Sequence, residues 1–392
     1  MKGELSIPLL LLFLSGCNNH NPPDHHITEG EFPAKDSITY AQGFTLSNGA
    51  NGVKSITVSN PWQYAENISY HYLLSDSFRV SRVIDEFNCE IKTPVKRVVC
   101  LSTTHIGFLE FITETGSVAG VSGKDFICNR DIALKFSNGL IQDVGYDENL
   151  NYELLLQLQP DVVFSYGVSS AVTKTMKKLN ELGIPVVMIG EYLEQEPLAK
   201  MEWVKMFAAF YNKERIIGHK FDSVAGRYNN IIKLSSSVKG TKPTVLLGLP
   251  FRGTWYVSGV QSYIAQLIND AGGRYIWDDL QFNESRPMNL ESIFERAIQA
   301  DFWLNTGDAE TLNSIKEVDN RFQQLQAFQN QQIYNNNALM NATGGNAFFE
   351  SGVVEPDIIL ADLVSILHPQ LLPSHSLKYY RKLYWQNNEH FR

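Results

Sequence analysis

In a chain that folds as strands and helices, chemistry gathers in the loops after apolar runs, because a rigid framework turns those loops toward a common surface. Several such loops occur in this 392-residue sequence. Ser102, Thr103, Thr104 and His105 follow one apolar run, and Tyr146, Tyr166 and the pair Glu191–Tyr192 follow others. In the second half the equivalent places hold Arg252, Trp255 and Tyr256, then Asn305 and Thr306. Residues 261–263 open a helix, so backbone N–H groups there are available to a polar ligand. Aromatic rings cover flat apolar faces, hydroxyls and amides meet polar edges, and the Arg252 guanidinium pairs with a carboxylate or phosphate. This is the chemistry of holding a large, amphipathic small molecule. Taken singly, each ring would serve equally well in a core.

Patterns that make or break bonds are missing. The chain has no GxSxG elbow, no HExxH, no phosphate-binding P-loop and no GxGxxG. Gly120-Val-Ser-Gly123 lacks the spacing of a nucleophile elbow, and the adjacent carboxylates Asp278 and Asp279 point apart or share a solvated turn. No CxxC and no Cys/His group has zinc spacing. The reading is a binding protein and not an enzyme, with no resident cofactor or metal. Lys and Arg total 33 against 42 Asp and Glu, a net charge of −9, so no basic excess is present to neutralise nucleic-acid phosphates. Hydrophobic residues make up 44% and charged ones 19%, a globular balance.

The elements that must position these residues read as two alternating strand–helix series. Strands are expected at 95–101, Val118–Val121, 161–165 and 184–189, with helices at 106–115, Tyr152–Leu158 and 172–182 between them. A second series expects strands at 244–249, 302–305 and 332–334. Its helices are expected at 262–271, 290–299, 315–328 and 357–367. Between the series, 212–236 keeps an apolar helical stripe without Pro, about 36 Å of rod at 1.5 Å per residue. Upstream, 38–46, 53–58 and 68–74 read as a small antiparallel element, with Asn48-Gly-Ala-Asn-Gly52 as its hairpin turn.

Lys2 followed by the eight apolar residues of 7–14 reads as a secretory signal, too short to span a bilayer. Leu14-Ser-Gly-Cys17 resembles the bacterial lipobox, which implies cleavage before Cys17, lipidation of its thiol and anchorage in a cell-envelope membrane. Pro22, Pro23 and Pro33 lie in a flexible tether. Of the remaining cysteines, Cys89, Cys100 and Cys128, at least one stays unpaired within the chain. Inert packing of all three and a Cys100–Cys128 bridge are both compatible with the sequence. The segments are thus 1–16 signal, 17–35 tether, 36–90 β element, 91–211 first α/β lobe, 212–238 connecting helix and 239–392 second lobe.

Pro94-Val-Lys-Arg-Val-Val99 is similar to the opening of the solute-binding proteins of ABC transporters for iron–siderophore, haem and vitamin B12. So is Val144-Gly-Tyr-Asp-Glu-Asn-Leu-Asn-Tyr-Glu-Leu-Leu-Leu-Gln-Leu-Gln-Pro-Asp-Val-Val163. Leu267-Ile-Asn-Asp-Ala-Gly-Gly273, Asn289-Leu-Glu-Ser-Ile293 with Ala300-Asp301, and Ile366-Leu-His-Pro369 match later motifs of that family in order and spacing. The resemblance spans about residues 90–375. It implies an α/β fold of two Rossmann-like lobes, joined by a single long helix and moving little, with a small N-terminal β element added. It implies a monomer that captures a metal chelate between the lobes, outside the cytoplasm, and passes it to an ABC permease and its ATPase. On that resemblance Glu153 and Glu291 occupy the positions whose carboxylates dock on permease arginines. The ligand contacts are then Thr103, Thr104, His105, Tyr146, Tyr166, Tyr192, Arg252, Trp255, Tyr256 and Asn305. In haem-binding relatives a Tyr at the Val-Gly-Tyr position ligates iron. There a basic residue follows, whereas Asp147, Glu148 and Asn149 follow Tyr146. The order of expected cargo is therefore a ferric siderophore or other iron chelate, then cobalamin, then haem, so the ligand carries iron or cobalt.

Overall fold

The structure, a computed structural model, describes residues 34–35, 38–49, 52–76, 89–146, 149–282 and 285–386. The signal, Cys17 and most of the tether lie outside the described residues.

The first sheet is N-terminal. Its strands β1 (Ala34–Lys35), β2 (Phe44–Asn48), β3 (Lys54–Ser59), β4 (Ser69–Ser75) and β5 (Cys89–Lys92) lie in chain order. All pairs are antiparallel except β4–β5. Of the expected turn, residues 50 and 51 lie outside the described residues; beside them the Gly49 N–H donates to the Val53 carbonyl at 2.8 Å and Gly52 has φ +76°. One face of the sheet, including Phe44, Leu46, Ile56, Val58, Tyr72 and Leu74, is buried.

The first α/β series runs β6 (Val98–Cys100), α1 (Thr103–Phe111), β7 (Val118–Val121), α2 (Arg130–Ser137), β8 (Gln142–Asp143), α3 (Tyr152–Leu158), β9 (Val162–Ser165), α4 (Val172–Glu181) and β10 (Val186–Met188). Its parallel sheet has the order β10-β9-β6-β7-β8. β6, β7, β9 and β10 are buried along their whole length, which is why they read as unbroken apolar runs.

Two packed helices then leave the sheet, α5 (Pro197–Phe210) and α6 (Glu214–Ser236). The sequence expects one rod over 212–238. The rod is present as the 23-residue α6, but α5 precedes it and was not anticipated. Twelve of the fourteen α5 residues are buried, so it shows no polar stripe by which periodicity could find it.

The second series comprises β11 (Thr244–Leu247), β12 (Trp255–Ser258), α7 (Tyr263–Asp270), β13 (Arg274–Tyr275), β14 (Ser285–Met288), α8 (Leu290–Ala297), β15 (Phe302–Leu304), α9 (Leu312–Val318), α10 (Gln326–Gln329), β16 (Ile333–Asn335), α11 (Pro356–Leu367) and β17 (Arg381–Lys382). Its sheet has the order β13-β11-β15-β16-β17, parallel except for β17, and β12 and β14 form a separate antiparallel ribbon. The helix expected over 315–328 is broken. Asp319 is extended (φ −156°, ψ 120°) and its carboxylate accepts from the Arg321 N–H at 2.9 Å, which ends α9 and starts a separate turn.

The N-terminal sheet is fastened to the first lobe by buried charge. Glu202 of α5, with no exposed surface, accepts the N–H groups of Thr39, Tyr40 and Ala41 at 2.7–3.1 Å and pairs with Lys205 at 2.7 Å. Glu194 accepts from Gln42 and Gly43, and from the Trp203 indole at 3.0 Å. The Tyr72 hydroxyl accepts from the Met188 N–H at 3.0 Å. Cys89, Cys100 and Cys128 are free thiols, so no Cys100–Cys128 bridge forms, and burial pushes Cys89 up to about 12 and Cys128 to about 11. Among the described residues no helix is long and apolar enough to cross a membrane.

Candidate functional site

A cavity of about 1080 Å³ opens between the two α/β series, lined by loops that follow strands of both. From the first series come Thr103, at the start of α1, and Phe126. From the second come Asn305 after β15, Asn336 and Asn337 after β16, and the 338–349 loop. Lys200 of α5 and Tyr263 of α7 close one wall. Ser102 caps α1, its hydroxyl accepting from the Thr104 N–H, and this fixes the turn that presents Thr103. Asn305 holds φ +56°, a conformation uncommon outside glycine that turns the chain out of β15 into the cavity wall. Five Asn side chains and four aromatic rings are among the lining residues, which suits a polar ligand with flat faces. Among the described residues no group of three or more His, Cys, Asp or Glu side chains is placed to hold a metal.

Of the sequence-derived contacts, the cavity brings together Thr103 and Asn305. Thr104, half-buried, lies beside Thr103 in the same capped turn. Tyr146 and Tyr166 share a different cavity of about 520 Å³ on the first lobe, their hydroxyls 3.2 Å apart. Tyr192 donates to the Gly167 carbonyl at 2.8 Å and lines a third space of about 460 Å³ with Trp62 and Tyr64 of the loop between β3 and β4.

Two residues are corrected to the core. His105 has no exposed surface and sits among Phe164, Tyr166 and Phe207. Burial drives its pKa down to about 3, opposed by the Phe164 backbone. It is a neutral packing residue, facing inward because α1 turns that face to the sheet. Trp255 is 1% exposed, donates its indole N–H to the Leu247 carbonyl at 3.0 Å and stacks on Trp303. Arg252 and Tyr256 are exposed on the β12–β14 ribbon and its preceding turn, and neither is part of the cavity lining. Glu153 and Glu291 stand exposed in the first turns of α3 and α8, where helix dipoles favour carboxylates.

Asn336, Asn337, Lys200 and Tyr263 are cavity residues that the sequence reading left out as contacts or passed over. The rule that strand-end loops build the site points to Asn336 and Asn337 once applied to β16. Lys200 carries no comparable signal, because it lies in a helix without amphipathic pattern.

The 338–350 loop of the second lobe reaches across to the first. The Asn341 amide donates to the carbonyls of Asp125 and Ile127, both at 2.9 Å, and the Thr343 hydroxyl to Asp125 at 2.5 Å. Glu350, 1% exposed, accepts the Cys128 N–H at 2.8 Å. Gly107 in α1 permits this approach, since a Cβ there would overlap the Glu350 carbonyl. Burial raises the Glu350 carboxyl from 4.5 to about 7, opposed by the Cys128 and Asn129 N–H groups and reinforced by repulsion from Glu110.

An acid with a raised folded pKa takes up a proton on folding. Its share of stability is therefore complete below pH 4.5 and lost as pH rises to about 7. Glu350→Gln keeps an acceptor oxygen and has no charge to bury. Relative to wild type, the variant should gain roughly 3 kcal/mol of unfolding free energy between pH 4 and pH 8. Denaturant unfolding at several pH values measures this, and parallel curves for the two proteins would refute the assignment.

A family model for periplasmic binding proteins matches residues 98–338. An uncharacterized lipoprotein of Methanocaldococcus jannaschii is 31% identical, the match covering 99% of this chain and 98% of that one. Among solved structures, the periplasmic haem-binding protein HutB of Vibrio cholerae superposes with a TM-score of 0.53 at 17% identity, covering 68% of this chain and 97% of its own. A protein of an ABC-type Fe3+-hydroxamate transport system from Saccharomonospora viridis gives 0.51 at 14% identity, covering 70% and 94%. At these identities the two structures speak to fold alone, and they share it. With the family model spanning more than half of its length and two strand–helix series enclosing a cavity, the chain belongs to the periplasmic binding proteins.

Proposed function

We propose that this protein is an extracytoplasmic, lipid-anchored carrier. It captures an iron chelate of the ferric siderophore kind between its lobes and delivers it to an ABC permease and its ATPase. The observation that carries this reading is the cavity of about 1080 Å³ built from strand-end loops of both α/β series. That size suits a ligand larger than a single amino acid or sugar. The names of the haem-binding and Fe3+-hydroxamate neighbours support cargo of this class. The lipoprotein relative supports lipid attachment at Cys17. Cobalamin stands second and haem third. Haem ranks last because Tyr146, the residue a haem-binding site would use, lies outside this cavity.

The test is a titration of the protein lacking its lipid with ferric siderophores, cobalamin and haemin, followed by tryptophan fluorescence, visible spectrum and melting temperature. A siderophore at a hundred times its dissociation constant should stabilise the fold by about 2.7 kcal/mol. Silence from every member of the panel would sink the reading.

A further inference from the structure

Several buried or half-buried lysines of this protein are paired with acids. Lys54 is bonded to the Ala209 carbonyl, Asn212 and Glu214, Lys205 to Glu202, and Lys213 to Glu114. Lys200 breaks the pattern. It lines the interlobe cavity from the second turn of α5, and among the described residues no carboxylate lies within ion-pair distance of its ammonium. What it has is the face of Tyr263, with Nζ 5.1 Å from the ring centroid. The acid that most favours its charge, Glu191, is itself 3% exposed, with Oε2 unpartnered among the described residues. Burial pulls the Lys200 pKa down, and Glu191 only partly offsets this.

A cation withdrawn from water without an anion is costly, and the cost is relieved when an anion arrives. Arg381, whose Nε donates to Asn337 at 2.8 Å, adds a second positive charge to the same lining. The lining also has two acids, Asp308 and Glu310, but both are exposed to solvent, which screens them.

We propose that Lys200 selects the cargo by charge: the cavity takes chelates of net negative charge, presenting catecholate or carboxylate oxygens to Lys200, in preference to neutral ones. This rests on the carrier reading above and adds the electrostatic class of the cargo.

The experiment compares two probes, the anionic ferric tricatecholate of enterobactin and the uncharged ferric trihydroxamate ferrichrome. They are titrated into wild type, Lys200→Met, which keeps the side-chain length, and Lys200→Arg, which keeps the charge. The expected result is that wild type prefers the tricatecholate. Lys200→Met should weaken that probe about 30-fold or more while changing ferrichrome less than about 3-fold, and Lys200→Arg should retain most of the affinity. Wild-type affinity for the tricatecholate, but not for ferrichrome, should also fall with added salt, a readout that needs no variant. Preference for ferrichrome, an absence of salt dependence, or equal loss of both probes in Lys200→Met with an unchanged melting temperature would each overturn the charge selection and leave the carrier reading intact. Failure of both probes, cobalamin and haemin alike to bind wild type would remove the carrier reading, and the charge selection with it.

Discussion

Glu202→Ala should lower the unfolding free energy by about 3–5 kcal/mol, the range for removing one partner of a buried charged network. The carboxylate has no exposed surface and meets four donors: three consecutive backbone N–H groups, at Thr39, Tyr40 and Ala41, and the Lys205 ammonium. Its loss leaves those amides without acceptors, and each stranded donor costs about 1–3 kcal/mol unless water enters. Lys205, whose Nζ also lies 4.5 Å from the Phe221 ring centroid, would lose its ion pair with Glu202. Glu202→Gln should fall between, since an amide oxygen still accepts but carries no charge. Urea unfolding followed by tryptophan fluorescence checks this, because Trp203 lies in the same contact. A loss below about 1 kcal/mol for the alanine variant would show that the Glu202 contact contributes little to holding the N-terminal sheet.

The largest functional effect is expected at the surface. Glu153→Ala combined with Glu291→Ala should abolish transport in vesicles containing the partner permease and ATPase, while ligand affinity stays within about 3-fold of wild type. Both carboxylates are exposed, lie outside the cavity lining and begin helices capped by Asn151 and Asn289 in the same way, one on each lobe. Among the described residues Glu291 pairs only with Arg321, at 3.8 Å, with both side chains half or more exposed, so little intramolecular energy competes with an external arginine. Bidentate pairing with such arginines would set orientation as well as affinity. Ligand binding lost together with transport would assign these residues to the cavity instead, and unimpaired transport would end the docking role.

How far the fold could be read in advance follows from burial. β7 and α3 were placed to the residue, because Gly116 and Gly123 bracket the first and Pro160 lies just past the second. α5 escaped for the opposite reason: a helix buried all round has no polar face to mark its period. The site was less legible than the fold. Thr103 and Asn305, expected from the logic of strand-end loops, line the cavity, and that logic also points to Asn336. His105 and Trp255 sit at the same kind of position yet turn inward, since one residue of rotation separates a wall from a core. No pattern in a single sequence distinguishes those two outcomes. Lys200 became visible only when the structure put a helix that looks like core against open space.

The clasp between residues 39–43 and Glu194 and Glu202 joins positions 151 to 163 apart in the chain. Contacts of such long sequence separation close late. During vectorial synthesis the N-terminal strands emerge first, yet their final mooring does not exist until the whole first lobe has been made. Maturation of the amino end is thereby tied to completion of the domain behind it.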